Sequence, residues 1–238
     1  DGNLKLTAYK DADGNYHSPT SVVTQNTMNF KYGYVEIRAK LPLQVGVWSS
    51  FWAKSVADKS DVKSVVSTDN HVVGEVDIFE VFDRNRVCGN IIKWDPNVLE
   101  GETTTWYPTA MNTAQCVVPP DDGLFHIYAY EWTPTEIKFY YDGVMYARFD
   151  ITEPWLNPGE DGKGKEGYEY NIKDETGSDM SCYQDPQYLI FNNHLFYEDV
   201  SNANTHINIS NPDFESADYL IDYCRVYQLE GQGEIYTK

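Results

Sequence analysis

The sequence predicts an all-β protein folded as a sandwich of two antiparallel sheets, and three observations support this prediction. Apolar and polar residues alternate at period two in several segments, as expected for strands with one buried face. No segment shows a helical 3.6-residue pattern of useful length. Tyrosine is abundant, with 19 Tyr in 238 residues, and aromatic residues favour strands. We expect one domain over residues 1–238, because no linker separates two regions of different composition.

The strand predictions follow from this alternation. In segment 33–41, Glu36 and Arg38 occupy one face, whereas the apolar residues occupy the other. Asp142-Gly143 is a typical two-residue hairpin turn and divides segment 136–151 into two strands. The complete set of predicted strands is 33–41, 125–132, the hairpin 136–151, 188–195 and 218–228. The predicted long loops are 55–72, 94–123 and 152–186.

The charge of the chain restricts its partners. The net charge is −19, from 37 acidic and 18 basic residues. Nucleic acid is disfavoured because phosphate binding requires a basic surface, and a neutral ligand fits better. The alternative is that the acidic residues only aid solubility. No apolar run is long enough to span a bilayer, so we predict no membrane span, and we expect a monomer.

The four cysteines are Cys88, Cys116, Cys182 and Cys224. Their spacing lacks the CxxC pairs of zinc sites, and an even count predicts two disulfides and a secreted or cell-surface location. Of the three possible pairings, the nearest in sequence joins Cys88 to Cys116 and Cys182 to Cys224. Four buried thiols are the alternative. The chain begins with Asp rather than Met, which indicates a processed or trimmed chain.

Three carboxylates lie close together in the apolar segment 71–85: Glu75, Asp77 and Glu80. On a regular strand Glu80 would point away from the other two and into the core, where an unpaired carboxylate is costly. A β-bulge near Ile78–Phe79 would restore all three to one polar face. Two carboxyl groups about 5–5.5 Å apart suit a retaining glycosidase, and a third acid between them can raise the pKa of the proton donor.

Segment 74–80, GEVDIFE, resembles the Glu-x-Asp-x-x-Glu signature of glycoside hydrolase family 16. Other segments resemble the same family in the same order along the chain: 31–41, 46–52 (with Ser49 in place of the usual proline), 125–143, 188–193 and 221–228. This resemblance implies a β-jelly-roll sandwich of the concanavalin A type with an open concave substrate cleft.

The resemblance also implies roles for individual residues. Glu75 would be the nucleophile, Asp77 the assisting residue and Glu80 the acid/base. The predicted substrate contacts are Glu36, Arg38, Trp48, Trp94, Trp106, His126, Asn192 and His194. For the Glu36 and Arg38 pair the alternative is a salt bridge without a ligand, and for His126 it is a hydrogen bond to a neighbouring strand. Trp52 is expected in the core.

No cofactor is implied for catalysis. Asp222 lies where many family members bind a structural calcium ion, with a backbone carbonyl near Gly2 as the companion ligand. Calcium prefers about six to eight oxygens, so the alternative is an aspartate held in a salt bridge.

The sequence thus predicts a secreted, retaining endo-glycoside hydrolase that cleaves a neutral polysaccharide, with β-1,3- or mixed-linkage β-glucan as the first choice. Segments 91–97 (IIKWDPN) and 193–199 (NHLFYED) depart from the family pattern and would alter the sugar-binding surface. An endo-β-galactosidase acting on galactan or poly-N-acetyllactosamine is therefore an alternative. The alternative from another class is a carbohydrate-binding lectin without activity.

Overall fold

The computed structural model describes residues 2–25, 27–56, 73–83, 86–94, 116–152, 169–170, 181–195 and 212–237. These ranges form strands and a short 3-10 helix at Ser181–Gln184. The strands are β1 (Leu4–Lys10), β2 (Tyr16–His17), β3 (Val22–Val23), β4 (Met28–Lys31), β5 (Gly33–Lys40), β6 (Val47–Ser55), β7 (Val73–Asp83), β8 (Arg86–Trp94), β9 (Cys116–Val117), β10 (His126–Trp132), β11 (Glu136–Tyr141), β12 (Val144–Asp150), β13 (Glu169–Tyr170), β14 (Gln187–Leu195), β15 (Ser216–Tyr227) and β16 (Glu234–Thr237). Within these ranges, no helix has both the length and the apolar character needed to cross a membrane.

The strands form two sheets, which confirms the predicted all-β sandwich. Sheet 1 has the order β13-β12-β11-β10-β5-β15-β1-β2. Sheet 2 has the order β16-β4-β14-β6-β7-β8-β9, and β3 also pairs with β14. The described pairs are antiparallel apart from β12 with β13. That residues 1–238 form a single domain stays a prediction.

The inner faces of the two sheets enclose an aromatic-rich core. From sheet 1, Val35 and Ile37 of β5 are fully buried, as are Val76 and Phe79 from sheet 2. The ring of Phe79 lies 4.7 Å from that of Tyr128 on β10, centroid to centroid, so aromatic contacts join the sheets.

The alternating segments form strands close to their predicted bounds. Asp142 and Gly143 have φ values of 45° and 78°, as a two-residue hairpin turn of type I′ requires. Strand β6 lacks the expected alternation because it is buried on both faces and carries Ser49, Ser50 and Lys54 at 0–7% exposure. Apolar periodicity therefore cannot reveal its two faces.

The cysteine prediction is half right. Cys88 and Cys116 are directly opposed on β8 and β9 and form a disulfide. Cys182 and Cys224 are thiols and are not bonded to each other, so that predicted pairing is wrong. The physical reason is that the two cysteines are associated with different sheets. The carbonyl of Cys182 packs against Gly74 of β7 in sheet 2, whereas Cys224 pairs with Ile37 in sheet 1.

Candidate active site

The predicted β-bulge is present in β7. Phe79 pairs with Phe51 of β6 and Asp77 pairs with the next residue, Trp52, so Ile78 is an extra residue in the ladder. Val76, Ile78 and Phe79 are all fully buried in the core. The extra residue restores the alternation after the bulge and directs Glu80 away from the core.

The bulge places the three carboxylates on the outer face of sheet 2. In the ladder with β6, Glu75 lies opposite Lys54, Asp77 opposite Trp52 and Glu80 opposite Ser50. Glu75 is 9% and Asp77 2% exposed, and Glu80 is partly buried, so neighbouring side chains remove most of their contact with water. Directly opposed side chains have Cβ atoms about 4.5–5.5 Å apart, so Lys54 brings a basic residue beside Glu75.

Burial and mutual repulsion alter the acidity of this group. Burial, followed by the charges of Glu80 and Glu75, raises the pKa of Asp77 well above its usual value. Burial and the charge of Glu75 raise the pKa of Glu80 to about 8, and a hydrogen bond with Trp48 opposes this shift. Glu80 is therefore protonated near neutral pH and can donate a proton.

Strand β14 completes one side of this face. Asn192 accepts a hydrogen bond from the indole Nε1 of Trp52 at 2.7 Å, and its amide donates to the hydroxyl of Ser50. Asn192 thus lies on the outer face with the carboxylates, and its contact with a substrate stays a prediction. Trp52 was expected in the core but lies on the same face, opposite Asp77, because it has the same strand parity as Trp48 and Ser50. This shared parity is the signal in the sequence that places Trp52 on the outer face.

The neighbouring Asn193 has a purely structural position. It accepts a hydrogen bond from Ser49 at 2.7 Å and donates to the carbonyls of Leu6 and Ala217, each at 2.9 Å. Asn193 therefore points inward and ties sheet 2 to β1 and β15 of sheet 1. Two successive asparagines serve opposite faces of one strand.

Trp48 and His194 lie together further along the outer face of sheet 2. They are directly opposed on β6 and β14, and their ring centroids are 6.5 Å apart in an edge-to-face arrangement. Nε2 of His194 lies 3.3 Å from the hydroxyl of Ser21. Burial lowers the pKa of His194, which favours its neutral form. Both residues stand on the face that carries the carboxylates.

On the other side of β7, strand β8 contributes residues that sequence reasoning missed. Asn90 lies opposite Asp77, is only 2% exposed, and shares the outer face with Cys88, which lies opposite Glu80. The signal for Asn90 was its parity, because the alternating Val87 and Ile91 belong to the core. The Cys88–Cys116 disulfide therefore borders the carboxylate group.

The prediction that Glu36 and Arg38 contact the substrate beside the trio is wrong. Both residues lie on β5 in sheet 1, and their neighbours Val35 and Ile37 face the shared core. They consequently lie on the opposite outer surface of the sandwich. Arg38 pairs with Asp222 at 2.8 Å and Glu36 lies 3.7 Å from Arg225, so each forms an ion pair with a residue of β15 instead.

His126 is also held in sheet 1, at the start of β10. Its two ring nitrogens lie 2.7 Å from Asp142 and 3.3 Å from Asp122, and its ring stacks on Tyr141. Burial alone would lower the pKa of His126, but the hydrogen bonds to Asp142 and Asp122 outweigh it and raise the pKa. These contacts fit the structural alternative, and the prediction of a cleft-facing His126 is wrong.

The remaining predicted residues divide into two groups. Trp106 and the side chain of Trp94 lie outside the described part of the chain. Asp222 is described, and its carboxylate is engaged by Arg38. No cluster of three or more metal-ligating side chains occurs in the described ranges. A guanidinium at this carboxylate does not fit a cation site with Gly2, so calcium binding is a prediction without structural support.

Comparisons with known proteins identify relatives of this chain. A beta-glucanase of Rhodothermus marinus is 32% identical over 149 residues, which cover 60% of this chain and 47% of that protein. Beta-1,3-glucan-binding protein 1 of Manduca sexta is 28% identical over 170 residues, which cover 70% of this chain and 31% of that protein. The chain thus matches less than half the length of these curated relatives.

The solved laminarinase from Flavobacterium sp. UMI-01 aligns with a TM-score of 0.59 and 26% identity. The alignment covers 96% of this chain and 80% of the laminarinase. The family model described as "Glycosyl hydrolases family 16" matches residues 1–159, which is more than half of the 238 residues. The chain therefore belongs to glycosyl hydrolase family 16.

Proposed function

We propose that the protein is a secreted, retaining endo-β-glucanase that cleaves internal linkages of β-1,3- or mixed-linkage glucan. The observation that carries this proposal is the bulge at Ile78, which brings Glu80 onto the face of Glu75 and Asp77. Without that extra residue the third acid would point into the core, and no proton donor would face the nucleophile.

The mechanism assigns one task to each carboxyl group. In the first step, protonated Glu80 gives its proton to the glycosidic oxygen while the Glu75 carboxylate attacks the anomeric carbon and the leaving chain departs. In the second step, Glu80 takes a proton from water, the water oxygen attacks the same carbon, and Glu75 is released. Burial and the charge of Glu75 keep Glu80 protonated before the first step, and Asp77 lies between the two glutamates in sequence on the same face of β7.

The surface around the acids supports a neutral glycan as substrate. Trp48 and Trp52 offer indole rings on this face, and aromatic rings with a polar edge suit sugar surfaces. The net charge of −19 disfavours strongly sulfated chains. Relatives named for β-glucan favour a glucan over a galactan. The Cys88–Cys116 disulfide supports an oxidising, extracellular location.

A second candidate is a glucan-binding protein without turnover, favoured by the similarity to the Manduca sexta protein. Binding requires the aromatic face but not a protonated Glu80 beside two further acids. The carboxylate arrangement therefore supports hydrolysis over binding alone.

Product analysis on laminarin, lichenan, agarose and poly-N-acetyllactosamine tests the proposal. We expect short oligosaccharides from laminarin or lichenan, and proton NMR of early products should show the β-anomer first. Glu75→Gln should bind the same glucan without cleaving it. Binding without cleavage by the wild-type protein would favour the glucan-binding candidate, and cleavage of agarose or poly-N-acetyllactosamine alone would favour the endo-β-galactosidase.

A further inference from the structure

A backbone carbonyl at the bulge in β7 accepts a hydrogen bond from a side chain of the opposite sheet. The hydroxyl of Tyr146 on β12 donates a hydrogen bond to the carbonyl of Ile78, the extra residue of the bulge. Tyr146 is 4% exposed and Ile78 is fully buried, so this contact lies inside the core. A bulged residue does not complete the regular ladder, and a buried carbonyl without a partner is costly. The Tyr146 hydroxyl therefore removes a cost that the bulge would otherwise carry.

Tyr146 is itself the extra residue of a second bulge. On the ladder between β11 and β12, Phe139 pairs with Ala147 and Tyr140 pairs with Met145, so Tyr146 has no direct partner. Both Tyr146 and Ala147 consequently face the core. One hydrogen bond thus joins two bulges on facing sheets.

Gly89 on β8 makes room for this contact. Asn90 pairs with Asp77 and Cys88 with Glu80, so Gly89 faces the bulged part of β7. A methyl group at Gly89 would collide with the ring of Phe139 and lie 3.1 Å from the hydroxyl oxygen of Tyr146. Only glycine leaves the space through which Tyr146 reaches Ile78.

We propose that Tyr146 is a positioning residue that holds the β7 bulge and thereby keeps Glu80 on the face of Glu75 and Asp77. It acts through the Ile78 carbonyl and does not touch the substrate. The inference rests on the proposed function for its kinetic consequence but predicts a structural effect on Glu80 in any case.

The test compares Tyr146→Phe with Tyr219→Phe. Tyr219 is a fully buried core tyrosine 6.2 Å from Phe79, and among the described residues its hydroxyl has no hydrogen-bond partner. On the preferred glucan we expect Tyr146→Phe to lower kcat at least tenfold, with KM within twofold of wild type. The alkaline limb of its pH–rate profile should move by at least half a pH unit. Tyr219→Phe should change neither quantity beyond twofold or 0.2 pH unit.

A carbon-13 NMR titration of the Glu80 carboxyl separates this inference from the proposed function. Even if the wild-type protein cleaves no glycan, Glu80 should titrate at a different pH in Tyr146→Phe than in wild type or Tyr219→Phe. An unchanged Glu80 titration in a folded Tyr146→Phe protein would overturn the inference, as would an unchanged kcat in an active enzyme.

Gly89→Ala provides the second variant if Tyr146→Phe does not fold. It keeps both hydrogen-bonding groups but forces Phe139 and Tyr146 to shift. We expect the same loss of kcat at nearly constant KM, together with a displaced Glu80 titration. Wild-type kinetics and titration in Gly89→Ala would contradict the proposed role of Tyr146.

Discussion

The two outer faces of the sandwich carry similar rows of charged residues, but the pKa values of their carboxyl groups shift in opposite directions. On sheet 1 the acids are matched by bases: Glu136 contacts Lys138 and also Arg148, the latter at 2.7 Å. Burial alone would raise the pKa of Glu136, but these two cations outweigh it and lower the pKa. On sheet 2, burial and neighbouring acids raise the pKa of Asp77 and Glu80. Alternation alone does not distinguish the faces, whereas the sign of the pKa shift does.

The largest expected effect separates the nucleophile from an acid on the other face. Glu75→Gln should lower kcat on glucan by roughly 10⁴-fold or more, because the side chain that forms the glycosyl bond is gone. Glu136→Gln on sheet 1 is the matched control and should leave kcat within twofold. Steady-state kinetics measure both, and a Glu75→Gln variant with more than a tenth of wild-type activity would refute the assignment.

Next in size is the loss of the proton donor. Glu80→Gln should lower kcat by about 10²–10⁴-fold on a substrate whose leaving group needs protonation. In wild type, activity should fall as the pH rises through the raised pKa of Glu80, about 8, because the carboxyl then loses the proton it must donate. An aryl glucoside with an acidic leaving group should restore the first step in Glu80→Gln. Equal losses on both substrates would exclude Glu80 as the acid.

A smaller effect is expected at the aromatic surface. Trp52→Phe removes the hydrogen bond to Asn192 and part of the indole surface, and we expect kcat/KM for glucan to fall about fivefold, or ~1 kcal/mol. Tyr227→Phe changes a 46% exposed aromatic residue on sheet 1 and serves as the control. Equal losses of kcat/KM in both variants would contradict the assignment of the glycan-binding surface to sheet 2.

The smallest effect concerns stability. The pKa of Asp77 is higher in the folded state than in the unfolded state. Ionising this carboxyl therefore lowers the free energy of unfolding as the pH rises from the unfolded pKa of about 4 towards the folded pKa. Asp77→Asn should therefore raise Tm by about 2–4 °C at pH 7 and less at pH 5. Glu136→Gln should slightly lower Tm at pH 7, because its lowered pKa stabilises the fold above the unfolded pKa. If calorimetry shows Tm changes of the same sign for both variants at pH 7, the proposed difference between the two outer faces is contradicted.

Some of this architecture follows from sequence alone, and the reason is the cost of buried charge. The bulge near Ile78–Phe79 was predictable because Glu80 on a regular strand would enter the core. The pairing of Cys88 with Cys116 was the shortest of those available. Period-two patterns also gave the bounds of the half-buried strands, where only one face meets the core.

The errors have equally physical causes. Parity assigns Glu36 and Arg38 to an outer face but does not say to which sheet, since both sheets have one. Trp52 was wrongly expected in the core because β6 is buried on both faces, so its apolar pattern does not show which face meets the core. Tyr146 lies about 70 residues from the bulge it contacts, and such long-range pairing leaves no local pattern.

In the proposed mechanism Glu75 and Glu80 act on the same glycosyl centre, and covalent trapping tests this most directly. A 2-deoxy-2-fluoro-glucoside with an activated leaving group should label the enzyme at one residue, identified by mass spectrometry of its peptides. We predict a single adduct on Glu75 in both wild type and Glu80→Gln. Labelling of another residue, or turnover with an α-anomeric first product and no adduct, would contradict the proposed mechanism.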